Sequence, residues 1–238
     1  MQDLNAPPLN PLPPVVWLLA LPMIAMELVL NAGSSGLVGG PGAIGWRVQA
    51  LQVLAFAPDY LRQMISLHQY PVDGLWRLVS YPLVHSDATQ AVFVVVIFLA
   101  LGKFVGEVFR WWALLAIFLV ASVVGALAYA AVPMTQTALI GGYPPVYGMI
   151  GAYTFILWVR LSGSGGNQLR AFQLIGFLLG FQMVFAVGTL AWYGSEAGAN
   201  WTWVADLAGF ATGFLLSFIL SPGGWSRVLA RVRQRGQG

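Results

Sequence analysis

Few side chains in this sequence could carry chemistry. The 238 residues include no cysteine and only two histidines, His68 and His85. Thiolate nucleophiles, thiolate metal sites, disulfides and covalent haem attachment are therefore excluded together, and any chemistry that needs an imidazole has two positions to use. The apolar stretches hold two acids, Glu27 and Asp206, and two serines, Ser122 and Ser217. A serine hydroxyl is a weak nucleophile that needs an adjacent base, and neither serine has one beside it in sequence. His68 and His85 do not make a metal-ligand spacing, so no metal and no cofactor is expected. An acid at membrane depth costs about 2.5–3.5 kcal/mol on insertion scales, so each acid needs a partner. For Asp206 the expectation is burial between two helices with a hydrogen bond to the Tyr143 hydroxyl. For Glu27 it is snorkelling or a contact with arginines of a loop.

The elements that must position these residues are membrane spans. The chain is 58% hydrophobic and 8% charged, against roughly 25% charged residues in a soluble domain. Six spans of about 20 residues would take about half the length. Residues 1–14 carry five prolines and one charge and read as a disordered tail. The first span is the apolar stretch from Val15 to about Leu30, broken in composition by Pro22 and Glu27 and long enough to cross if the helix kinks or tilts. Residues 32–88 form a large loop of Gly and Pro clusters with a helix-like segment at Trp46 to Leu67, whose mixed pattern fits an amphipathic piece lying at the interface. The second span covers about Gln90 to Lys103, extending toward Glu107, and the third Trp111 to Val132. After an uncharged loop at 133–142 the fourth runs from about Tyr143 to Val159. A flexible Ser/Gly run at Ser162 to Gly166 leads to the fifth, Leu169 to Ala191, and the sixth covers Trp201 to Leu220. The domain thus spans 15–221, followed by a basic tail at 222–238.

Basic residues set the expected orientation. Lys103, Arg110, Arg160, Arg170 and the tail residues Arg227, Arg231, Arg233 and Arg235 fall on one side, and Arg47, Arg62 and Arg77 on the other. Eight against three puts both termini in the cytoplasm and makes the protein a multi-pass component of the cell membrane, the inner one if the cell is bacterial. No basic stripe interleaves with aromatics, so nucleic acid is not an expected partner. The bilayer is.

Two groups of residues add a finer signal. The large loop ends in Trp76-Arg77-Leu78-Val79, and His85 stands eight residues after the arginine, just before the second span. The fourth span carries Gly148 and Gly151, and the sixth carries Gly209 and Gly213 in a G-x-x-x-G. In this order the motifs resemble the rhomboid intramembrane serine proteases over roughly residues 15–220. That resemblance implies an all-α, six-span helical bundle with an interfacial loop insertion, a serine nucleophile in a G-x-S-G motif opening the fourth span, a histidine base in the sixth, and an H-x-x-x-N pair in the second that helps hold the oxyanion.

Set on those positions, this sequence is degenerate. Gly141-Gly142-Tyr143-Pro144 lies over the serine motif, so Tyr143 replaces the nucleophile and Pro144 the glycine after it. Ala205-Asp206-Leu207-Ala208-Gly209 lies over the histidine motif, with Asp206 in place of the base. The oxyanion pair reads Gln90 and Val94, of which only Gln90 can donate a hydrogen bond. Proline also lacks the backbone N–H that an oxyanion hole at this turn would use.

Blander roles exist for most of these residues. The glycines are close-packing surfaces, Trp76 and Arg77 an interfacial anchor, His85 a loop-packing residue. The reading that follows is a pseudoprotease that binds or helps handle membrane-protein segments, its client spans, without cutting them. An active rhomboid protease is the first alternative. A small transporter or channel using Glu27 and Asp206 is the second, although no internal repeat of the transporter kind is visible.

Overall fold

The computed structural model describes residues 12–193 and 201–223. Most of the expected tails, at 1–14 and 222–238, lies outside them. Helix α1, Pro14–Ser34, opens on a proline, whose missing amide costs nothing in a first turn, and runs through Pro22 without ending. The expected first span is one continuous helix across Pro22 and Glu27, and it continues four residues past Leu30. The loop then forms a short 3-10 turn, Gly40–Gly45, and three helices: α2, Trp46–Leu54; α3, Pro58–Leu67; and α4, Val72–Ser80.

The single helical segment expected at Trp46 to Leu67 is thus two helices. Phe56 turns extended and makes an isolated antiparallel bridge to Leu139 of the 133–142 loop, with N–O distances of 3.0 and 2.8 Å. Pro58 can then only begin a new helix, because it has no amide to continue the old one. His68 closes α3 in the left-handed region, at φ 54°.

Five further helices complete the described residues: α5, Ala88–Gly106; α6, Trp111–Ala131; α7, Tyr143–Gly163; α8, Gln173–Tyr193; and α9, Thr202–Leu220. Helix α5 starts two residues before the expected Gln90 because Asp87 caps it, its Oδ1 accepting the Gln90 amide at 2.9 Å. Helix α7 runs four residues past Val159. A 3-10 turn, Gln168–Phe172, precedes α8 and takes up the first residues of the expected fifth span. The described residues contain no strand.

Among the described residues five helices are long and apolar enough to cross a membrane: α1, α5, α6, α8 with the turn before it, and α9. The chain is an integral membrane protein. Helix α7 falls short because Pro144, Pro145, Gly148, Gly151 and Arg160 dilute its apolar residues. It packs against α5, α6 and α9 and is the most buried of the long helices, so few of its side chains meet lipid.

The main core joins α1, α5, α6 and α7 through buried Val16, Met23, Phe98, Ile117, Met149 and Ile150. A smaller core beneath the loop holds Phe56, Leu61, Tyr81, Ala126, Tyr129 and Leu139. The loop is therefore folded onto the bundle. Arginines fasten it. Arg62 donates to the carbonyls of Ala130, Val132 and Thr135, closing the exposed end of α6, where the last carbonyls of a helix lack intrahelical partners. Arg47 reaches α1, donating from Nη2 to Glu27 Oε1 at 2.7 Å and from Nη1 to Oε2 at 3.1 Å and to the His85 carbonyl at 2.9 Å. The contact with a loop arginine expected for Glu27 is this one, and Asn31 Nδ2 adds a further donor to Oε1.

Candidate functional site

The start of α7 is the centre of the site. Gly141, at φ +86°, makes the sharp entry that a side chain would strain. Tyr143, Pro144 and Pro145 form the first helical turn, and Val146 N is bonded to the Gly142 carbonyl at 3.1 Å. First-turn amides point out of a helix and could receive an anion. Two of the three are missing here because two of the three residues are proline, so Tyr143 alone keeps an N–H.

Two residues of α5 press on this turn. A Cβ on Gly141 would lie 2.8 Å from Gln90 Nε2, and one on Gly142 would lie 2.7 Å from both Val94 Cγ1 and Met23 Cε. Gln90 Oε1 is occupied by the Ser86 amide and hydroxyl, at 2.8 and 3.0 Å, leaving Nε2 as its free donor. Val94 is fully buried and offers only methyl groups.

On the other side α9 meets α7 backbone to backbone. A Cβ on Gly209 would strike the Pro144 carbonyl; one on Gly213 would lie 2.6 Å from Gly148 C, and one on Gly151 2.6 Å from Phe214 N. Small residues permit this approach, and in a bilayer such packing replaces the hydrophobic drive that water supplies. One turn before Gly209, Asp206 is 3% exposed.

The expected Tyr143–Asp206 hydrogen bond is not formed. Asp206 Oδ2 accepts instead from Gln182 Nε2 of α8, at 2.8 Å. Tyr143 and Tyr147 remain within electrostatic reach of the carboxylate, but neither hydroxyl bonds to it. Tyr81, in the 3-10 turn Tyr81–Leu83, also faces Asp206 and donates to the Ser122 carbonyl at 3.0 Å. Gln182 was missed because partner choice follows the rotation of α8 about its axis. A single amide within the apolar run Phe177 to Phe185 was the signal available.

A double-mutant cycle separates the two pairings. Gln182→Leu and Asp206→Leu are expected to couple by about 0.6–1.7 kcal/mol, the range for hydrogen bonds between membrane helices. Tyr143→Phe with Asp206→Leu should be additive, as read by thermal unfolding in detergent.

The remaining candidates are dispersed. Ser122 and Ser217 hydroxyls donate to carbonyls of their own helices, Phe118 at 2.8 Å and Gly213 at 2.7 Å. Trp76 is exposed, whereas Arg77 turns inward to the Ala55 carbonyl at 3.0 Å with its guanidinium 5.9 Å from the centre of the Tyr60 ring. Among the described residues no three His, Asp or Glu side chains gather as a metal site requires.

His85 is fully buried and neither ring nitrogen has a partner among the described residues. Burial, the largest influence, holds its imidazole below the ordinary histidine value; the Glu27 carboxylate opposes this, the Arg47 guanidinium adds to it, and Asp87 opposes it again. The unfolded chain then binds a proton more readily than the native one, so His85 should cost stability as pH falls below about 6.5 and nothing above it. His85→Leu is expected to flatten this acid loss below about pH 6.5, measured as unfolding temperature against pH.

The comparison with protein families decides the identity. The family model described as Rhomboid domain matches residues 72–223, more than half of the chain. The chain belongs to the rhomboid family. The match runs from α4 to the end of α9, so this rhomboid's Trp76-Arg77 pair, its α5 positions and the α7–α9 contact all fall inside it, while α1 and the first part of the loop precede it. No curated protein matches this rhomboid.

Proposed function

We propose that this rhomboid is a pseudoprotease, which binds membrane-protein segments and helps handle them without cleaving them. The observation that carries this reading is the start of α7, where a phenol, Tyr143, occupies the position at which the family resemblance places the nucleophilic serine, followed by two prolines that remove amides an oxyanion would need. Asp206, at the position of the base, is engaged by Gln182. Both span serines are turned to their own helices, which supports the same reading. A transporter reading gains nothing from the acids, since Glu27 meets Arg47 at the loop and Asp206 meets Gln182 between α8 and α9. Placement in the cell membrane with both termini cytoplasmic rests on the distribution of basic residues.

The test is cleavage in bilayers of single-span substrates accepted by active rhomboids. They should remain full length. The triple variant Tyr143→Ser, Pro144→Gly, Asp206→His should still cut poorly, because Val94 offers no donor and one oxyanion donor is worth roughly 10²–10³ in rate. Cleavage by the unaltered protein that a serine-directed inhibitor abolishes would overturn the reading.

A further inference from the structure

The two buried acids of the described spans differ in one respect. Glu27 is neutralised by Arg47, whose guanidinium grips both carboxylate oxygens. Among the described residues Asp206 meets an amide and no cation: its one side-chain hydrogen bond there is to Gln182, and no Lys, Arg or His perturbs it electrostatically. Gln182 is itself incomplete, since its Oε1 is buried without a donor among the described residues. An acid and an amide oxygen therefore lie together inside the bundle, both acceptors, with no positive charge among the described residues to complete them. Hydrocarbon makes such a deficit costly, because no water reaches the groups to satisfy them.

The helix that closes over this pair is the most thinly packed of the spans. Only 11% of the window Gln168–Phe185 is buried, against 33–56% for the other four. Helix α8 meets the core through Ile175, Leu178 and Leu179, while Phe177, Phe181, Met183 and Val184 face outward. Gln182 lies just past those core contacts. A helix so lightly held can yield to a second helix at little packing cost.

We infer that Asp206 and the Gln182 carbonyl oxygen form a recognition site for a lysine or arginine carried within a client transmembrane helix. This rests on the client-binding reading above and names the chemical class of client. A lysine ammonium has three donors: it can bond the Asp206 carboxylate and Gln182 Oε1 together, supplying the charge that α8 and α9 lack. The client gains as much, since its own cation is equally disfavoured in hydrocarbon.

The experiment uses the full chain in phosphatidylcholine vesicles with three leucine-rich single-span peptides carrying Lys, Leu or Glu at mid-span, binding being read by energy transfer. The Lys peptide should bind about tenfold more tightly than the Leu peptide, as one charged hydrogen-bonded contact between membrane helices allows. Asp206→Asn and Gln182→Leu should each shrink that ratio, Asp206→Asn to within about twofold. Asp206→Lys should reverse the preference toward the Glu peptide, which a merely unfolded variant would not do. Equal binding of all three peptides by the unaltered protein would overturn this inference and leave the client-binding reading standing. A Lys preference that survives all three substitutions would overturn Asp206 and Gln182 as its seat. Binding of none of the peptides would overturn both.

Discussion

Gly213→Ala is expected to destabilise the bundle by about 1–3 kcal/mol or more, the range for overpacking a filled interior, although alanine is intrinsically the better helix former by about 1 kcal/mol. The added methyl would fall on the Gly148 carbonyl group, with Gly148 Cα 2.8 Å away. Backbone cannot rotate aside as a side chain can, so α7 and α9 would have to separate. Their separation would also loosen the aromatic contacts farther along, where Phe155 meets Phe218 with ring centres 4.8 Å apart. Gly209→Ala should behave alike, because its methyl would strike the Pro144 carbonyl. Gly176→Ala on α8 provides the opposite sign. Nothing lies within 4 Å of its Cβ position, so the propensity gain should appear alone. Unfolding in detergent of the three variants would show the contrast.

Arg47→Ala is expected to cost about 3 kcal/mol, the lower end of the range for breaking a buried ion pair. The Glu27 and Arg47 side chains are only 10% and 18% exposed, so the carboxylate left behind could not find water readily. The guanidinium also holds the His85 carbonyl, and its removal should free the segment leading into α5. Glu27→Leu combined with Arg47→Leu should recover much of the loss, because neither charge then remains uncompensated. Proteolysis at the loop would report the same order, with Arg47→Ala cut fastest.

The spans were legible because hydrocarbon demands long apolar runs, and five of the six expected helices satisfy that demand on composition alone. The sixth, α7, was placed after the uncharged loop at 133–142 and falls short of that demand. Its neighbours shield it, so nothing requires it to be apolar throughout. The glycine spacing on α9 likewise pointed to the close approach that Gly209 and Gly213 make to Pro144 and Gly148. The loop was harder to read. Its break at Phe56 depends on pairing with Leu139, far along the chain, and no local pattern announces a partner at that distance. Arg62 appeared in the sequence only as a charge to be counted for topology, yet its guanidinium closes the end of α6. At the site, the position of each residue along its helix was readable, and so was the burial of Asp206. The partner of Asp206 was not, because Tyr143 and Gln182 lie on different helices and only their rotation decides which one the carboxylate meets.

The central claim is that the start of α7 holds a client span without cutting it. Its most direct test is the intact mass of the products when a photo-crosslinking side chain replaces Tyr143 and the protein is irradiated in vesicles with a single-span substrate. The account predicts one adduct whose mass is the sum of the two full-length chains. Substrate fragments that also appear with the unaltered protein, or no adduct at all from position 143, would contradict it.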